Sequence, residues 1–204
     1  SPGARRSGLF RMKALVTRPE PDAVPVAAAL RARGIEPVLA PTLRIEPEPE
    51  SAARLAGTLT GVQATLFTSA NAVRAFAAAS RRFELPAFCV GGAGAAAARI
   101  AGFRTVFSAD GDVADLAALV AARLAPANGA LLHAAGADTA DDLAADLEAR
   151  GFTARAAVLY RAVTVDAFPP DAAAALRRGE IALALFFSPR TAASFVRLAR
   201  AAGL

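Results

Sequence analysis

A single cysteine, Cys89, excludes an intrachain disulfide, and with no secretory apolar region ahead of Arg18 the expected compartment is a reducing cytoplasm. Histidine is equally scarce. His133 stands alone, so there is no Ser/His/Asp order and no close cluster of His, Cys and carboxylates to hold a metal; a Walker glycine loop is missing too. Long apolar runs are also lacking: a spanning helix needs about 20 such residues, whereas the blandest stretches here are alanine broken by arginine. A soluble chain without membrane contact is expected. Nor does charge of one sign accumulate. Lys and Arg number 23 against 18 Asp and Glu, a net +5, but Arg5, Arg6 and Arg11 precede Met12, and without them 20 basic residues face 18 acidic ones, leaving +2. The other arginines are interleaved with acids and form no basic stripe, which argues against nucleic acid as a partner.

What is present is a large apolar fraction. At 204 residues, 55% hydrophobic and 20% charged, the chain can bury a core in one or two domains and lies on the globular side of the disorder boundary. Met12 is the only methionine and stands directly before KALVTRP, a strand pattern; residues 1–11 are expected to be a leader or frayed extension. From there, short β-type runs alternate with alanine-rich helical runs, the pattern of parallel sheets covered by helices. Strands are expected at 13–17, 36–40, 63–68, 86–90, 105–108, 130–133, 153–160 and 181–187. Between them the segment 112–124 reads as a helix that Asp112 caps, with Leu116, Leu119, Val120 and Leu124 on its buried face. Gly34 and Gly151 each close a helix before a strand, where a left-handed residue is wanted.

Those glycines also mark a repeat. The segment 26–45 parallels 143–162 at an offset of 117 residues, and 64–79 parallels 182–199 with Ser69 matching Ser188 at an offset of 119. Two blocks in the same order at nearly one offset indicate two similar α/β halves. The proline-flanked stretches 41–50 and 161–170 occupy matching places and suit extended connectors. The chain is therefore expected to leave its first domain and return to it: 12–42 with 165–204, a second domain at 48–160, and connectors at 43–47 and 161–164.

Four turns share one context, following a strand and preceding a helix: Thr17-Arg18-Pro19, Thr68-Ser69-Ala70-Asn71, Gly91-Gly92-Ala93-Gly94 and Ser188-Pro189-Arg190-Thr191. In parallel sheets ligands bind beyond the carboxyl ends of strands, where helix N-termini offer free N–H groups and partial positive charge; carboxylates suit them. Ser69 and Ser188 fit a plain helix-capping role as well as a ligand contact. Gly92 to Ala97 satisfies G-x-G-x-x-A, with Asp110 and Asp112 downstream, yet those acids fall in a polar loop instead of at a strand end, so nucleotide binding is not favoured. His133 reads as a satisfied or half-buried imidazole at a strand end, and Cys89 as core. Tyr160, the only tyrosine, reads on its chemistry alone as a rim aromatic with its hydroxyl in water.

VTRP (16–19), FTSANAV (67–73), the VG loop (90–91), GADTADDLAADLEARGF (136–152), VLYRAV (158–163) and FFSPRTAASF (186–195), in this order and spacing, resemble the uroporphyrinogen-III synthase family from Met12 to Leu204. The resemblance implies two similar parallel-sheet α/β domains, flavodoxin-like and of the synthase type, joined by a two-stranded connector with a cleft between them. It implies a lyase of heme biosynthesis that cyclises the linear tetrapyrrole hydroxymethylbilane with inversion of its last ring, through a spiro intermediate, as a monomer and without metal or organic cofactor. On this resemblance Tyr160 is the expected acid that assists loss of the substrate hydroxyl. Thr17, Arg18, Pro19, Thr68, Ser69, Asn71, Gly91, Gly94, Gly136, Ser188, Pro189, Arg190 and Thr191 are the expected substrate contacts. Two departures stand out. Gly94 occupies a position where the family often has threonine, and the repeat offset carries the counterpart of the Gly91 loop past Leu204, so the last strand and helix of the first domain are expected to be absent. Both departures favour the competing class, a non-catalytic synthase-like domain that holds a tetrapyrrole or regulatory ligand.

Overall fold

The computed structural model describes residues 12–138 and 142–204. The expected leader, 1–11, and part of the 136–152 block lie outside the described residues. In chain order the elements are β1 (Lys13–Val16), α1 (Ala23–Ala32), β2 (Glu36–Leu39), β3 (Leu43–Pro47), α2 (Ser51–Thr58), β4 (Val62–Phe67), α3 (Ala70–Ala79), β5 (Ala87–Cys89) and α4 (Gly92–Ala101). There follow β6 (Val106–Ser108), α5 (Val113–Arg123), β7 (Ala130–Gly136), α6 (Asp142–Ala149), β8 (Ala154–Thr164), α7 (Pro170–Arg177), β9 (Ile181–Leu185) and α8 (Pro189–Ala201). None of these helices is long and apolar enough to cross a membrane.

The chain divides into two compact units, one ending at Arg44 and resuming at Val163–Leu204, the other Ile45–Ala162. In the first, three parallel strands run in the order β2-β1-β9. Alternation along β1 places Ala14 and Val16 against α1 through Ala23 and Leu30, while Leu15 faces Ala172 of α7 and Leu198 of α8. Pro37 has no amide hydrogen to give, and it sits in β2, an edge strand, where that costs no ladder bond. At the other edge β9 has β1 as its one neighbour among the described residues.

The second unit holds a six-stranded sheet in the order β3-β8-β7-β4-β5-β6, parallel from β8 to β6. One face carries Phe67, Cys89, Leu132 and Leu159 beneath α2, α3 and α4. The other carries Leu66, Phe88 and Leu131 beneath α5 and α6. Phe67, Phe76 and Phe103 pack edge-on or tilted, with ring centroids 5.5–5.7 Å apart, and lock α3 to β4.

Every expected strand is present, and most ends move inward by a residue or two. Three differ more. β7 runs on from His133 to Gly136 because it is paired on both sides, with β4 and β8, although Ala-Ala-Gly carries no strand pattern of its own. β8 continues past Tyr160 to Thr164 because β3, expected as an extended connector, lies beside it. The Glu48 amide donates to the Leu159 carbonyl at 2.9 Å and the Val165 amide to the Thr42 carbonyl at 3.2 Å. Partner numbers that fall on one strand as they rise on the other make this pairing antiparallel, an exception to the expected parallel pattern. β9 stops at Leu185, which leaves Phe186 and Phe187 exposed.

Candidate functional site

Within the second unit, the carboxyl ends of β4 and β7 and the interior of β8 bring three of the expected residues together. Ser69 follows β4 in an extended conformation and caps α3, its hydroxyl oxygen accepting from the Ala72 amide at 3.1 Å. The same oxygen lies 2.9 Å from the phenolic oxygen of Tyr160. That contact corrects the reading of Tyr160 as a rim aromatic with its hydroxyl in water: the residue is only 7% exposed and its oxygen is held by a serine. Tyr160 is also interior to β8, not at its end. Gly136 is its partner across the ladder, and the Ala137 amide donates to the Tyr160 carbonyl at 2.9 Å. A Cβ on Gly136 would stand 2.7 Å from Cζ of the ring, so the strand needs glycine there for the ring to lie as it does.

The flanking residues are engaged in different ways. Asn71 accepts at Oδ1 from Arg74 Nη2 at 2.5 Å, along the first turns of α3. Thr68, like Ser69, is half-buried. Gly91 is the N-cap of α4 and its carbonyl accepts from the Ala95 amide. Gly94 is turned inward, where an added Cβ would meet Cys89 Cβ at 3.4 Å; this position faces β5. Burial pushes the Cys89 thiol up to about 11, in keeping with a core residue.

In the first unit, Thr17 is fully buried and its hydroxyl donates to the Leu185 carbonyl at 2.7 Å, tying the end of β1 to the end of β9. Arg18 sits over the Phe187 ring, 4.5 Å from its centroid. The Pro19 carbonyl accepts from the Ala23 amide and so starts α1. Ser188 and Thr191 form a reciprocal cap: Ser188 Oγ accepts from the Thr191 amide, and Thr191 Oγ1 accepts from the Ser188 amide, each at 3.2 Å. Pro189 takes the first helical position, where a missing amide hydrogen costs nothing, and Arg190 is exposed. Thr17 and Thr191 thus have their hydroxyls engaged inside the unit.

His133 is fully buried within β7, away from any strand end. Asp110 accepts from the Ser108 hydroxyl at 2.6 Å, and Asp112 caps α5 through the Ala114 and Asp115 amides; both acids near the glycine run have local work. Among the described residues no cluster of three or more His, Cys, Asp or Glu is placed to hold a metal ion. The pairing of Ser69 with Tyr160, 91 positions apart, is what sequence reasoning missed. The shift in register between Ala135 and Gly136 brings the phenol to its place, and nothing in the local pattern announces it.

Fold and site define an α/β protein of parallel sheets whose hydroxyl and glycine turns stand where strands give way to helices. The family model described as uroporphyrinogen-III synthase HemD matches residues 24–203, and the chain belongs to that family, whose members are enzymes of heme biosynthesis. Among solved structures it is similar to a mutant uroporphyrinogen III synthase from the extremely thermophilic bacterium Thermus thermophilus, at 20% identity and a TM-score of 0.54, over 91% of this chain and 76% of that one. It is also similar to the uroporphyrinogen-III synthetase of Helicobacter pylori, at 15% identity and a TM-score of 0.58, over 92% of this chain and 78% of that one. At these identities the likeness is one of fold. No curated protein sequence matches the chain.

Proposed function

We propose that this chain is a cofactor-independent lyase that closes hydroxymethylbilane to uroporphyrinogen III, with inversion of the last pyrrole ring. The observation that carries the reading is the family match across 24–203, and the held phenol of Tyr160 gives it a chemical centre. Loss of the substrate hydroxyl needs a proton. The phenol supplies it, the C–O bond breaks, water leaves, and the pyrrole nitrogen lone pair stabilises the resulting azafulvene. Through its substituted α-carbon the terminal ring attacks the carbon that lost the hydroxyl, forming a spiro intermediate. The older bond from that α-carbon to its methylene then breaks, leaving a second azafulvene. The free α-carbon of the turned ring closes on it, and the proton lost there as aromaticity returns restores the phenol. Thr68, Asn71 and Gly91 in the second unit, and Arg18 with the turn at Ser188, Pro189 and Arg190 in the first, are the proposed contacts for the substrate carboxylates, since helix N-termini and guanidinium groups favour anions.

In this reading 12–42 with 165–204 forms one domain and 48–160 the other, joined by connectors at 43–47 and 161–164. The protein works as a cytoplasmic monomer. Protein stripped with a chelator and desalted should consume hydroxymethylbilane as fast as untreated protein. Activity lost on stripping and regained with a divalent metal, or with a nicotinamide or flavin, would contradict the cofactor-independent mechanism.

A further inference from the structure

We propose that Ser69 and Gly136 are positioning residues for the Tyr160 phenol. Ser69 donates its hydroxyl hydrogen to the phenolic oxygen, and the bare backbone of Gly136 is the seat on which the ring lies. The inference rests on Tyr160 being the proton donor, and it gives Ser69 a part in turnover instead of a contact with a substrate carboxylate.

The internal repeat supplies the first argument. Ser188, at the position matching Ser69, closes its cap on itself: three residues on, Thr191 returns a hydroxyl that accepts from the Ser188 amide and donates to the Ser188 carbonyl at 2.8 Å. Three residues after Ser69 stands Ala72, which has no hydroxyl to return. The Ser69 hydroxyl is turned to Tyr160 instead, at 2.9 Å. The two turns cap helices alike, and only one of them reaches a phenol.

The second argument is electrostatic. Ser69 Oγ accepts from the Ala72 amide at the positive end of α3. An oxygen already accepting from an amide is a stronger donor through its own hydrogen. Donation to the phenolic oxygen stabilises the negative charge that gathers there as the proton departs, and this stabilisation is greatest in the transition state. The proton leaves Tyr160 for the departing hydroxyl, forming water, and one released from the closing tetrapyrrole replaces it. Ser69 keeps its own hydrogen throughout.

The third is steric. A Cβ at position 136 would lie 2.7 Å from Tyr160 Cζ, 2.9 Å from Cε2 and 3.0 Å from the hydroxyl oxygen. Even alanine must displace the ring, and with it the phenolic oxygen, from Ser69.

The composition offers a direct readout: with one tyrosine and no tryptophan, intrinsic emission reports Tyr160 alone. Ser69→Ala should change the emission intensity and its quenching by acrylamide, and should lower kcat about tenfold with KM within about twofold. Ser69→Thr, which keeps both cap and hydroxyl, should restore both. Gly136→Ala should lower kcat and perturb emission in the same direction while far-ultraviolet circular dichroism stays native. A Ser69→Ala protein with raised KM and intact kcat would overturn the inference and return Ser69 to carboxylate binding. Unchanged emission in that variant would overturn it whatever the activity. Wild-type protein that makes no type III product would instead defeat the reading of the function, with the emission experiment still deciding the Ser69–Tyr160 contact.

Discussion

Tyr160 combines a packed ring with a hydroxyl held by Ser69, and phenylalanine separates the two. Tyr160→Phe keeps the ring in the cluster that includes Leu159 and Ala134 and removes the acid, so turnover should fall about 10- to 100-fold. The lost hydrogen bond should cost only about 1 kcal/mol in a denaturant titration. A variant with full turnover would leave no acid at this site. Cys89 gives a second test at this scale. Fully buried, with its thiol pushed up to about 11, it should be silent to an aromatic disulfide reagent at pH 8 in the folded protein. One equivalent should react once the chain is unfolded, and rapid reaction of the native protein would contradict the core placement.

Single caps and strand ends decide how firmly the elements are held. Asp112 accepts from two amides at the start of α5, and Asp115 reaches back to the Asp112 amide at 2.9 Å. Asp112→Ala should therefore destabilise the protein by about 1 kcal/mol in thermal melts. Glu180, just before β9, is held at about 2, well below its ordinary 4.5, first by the Arg178 guanidinium and then by Lys13 at the start of β1. A depressed carboxylate stabilises the fold fully above its unfolded value, and the contribution is lost as pH falls from about 4.5 through about 2. Glu180→Gln should flatten that part of the acid-unfolding curve, and an unchanged slope would show that the ion pairs do not hold the strands. The α5 cap was legible because it is local: Asp112 needs only the residues that follow it. So were the helix-closing glycines, Gly34 at φ +75° and Gly151 at φ +85°. The carboxyl end of β7 was not, because neighbouring strands impose it on residues with no strand preference of their own, while β3, legible as an extended connector, shows its antiparallel pairing only beside β8.

Across the whole molecule the sequence resemblance and the family match agree, and the parallel α/β fold agrees with both. The repeat was legible as paired blocks, yet its most informative feature lies in a difference between the halves. The turn at Ser188 closes with Thr191, while the turn at Ser69 has Ala72 there and meets Tyr160. No period or propensity reports a contact between residues 69 and 160, since it exists only once β4, β7 and β8 lie side by side. The proposed activity is directed ring closure, beyond binding of the substrate. Hydroxymethylbilane closes spontaneously to the type I isomer, so the decisive measurement is the ratio of type III to type I product as protein is added. The type III fraction should rise with protein concentration toward completion. A mixture that remains type I at every concentration would show that the chain does not direct the closure.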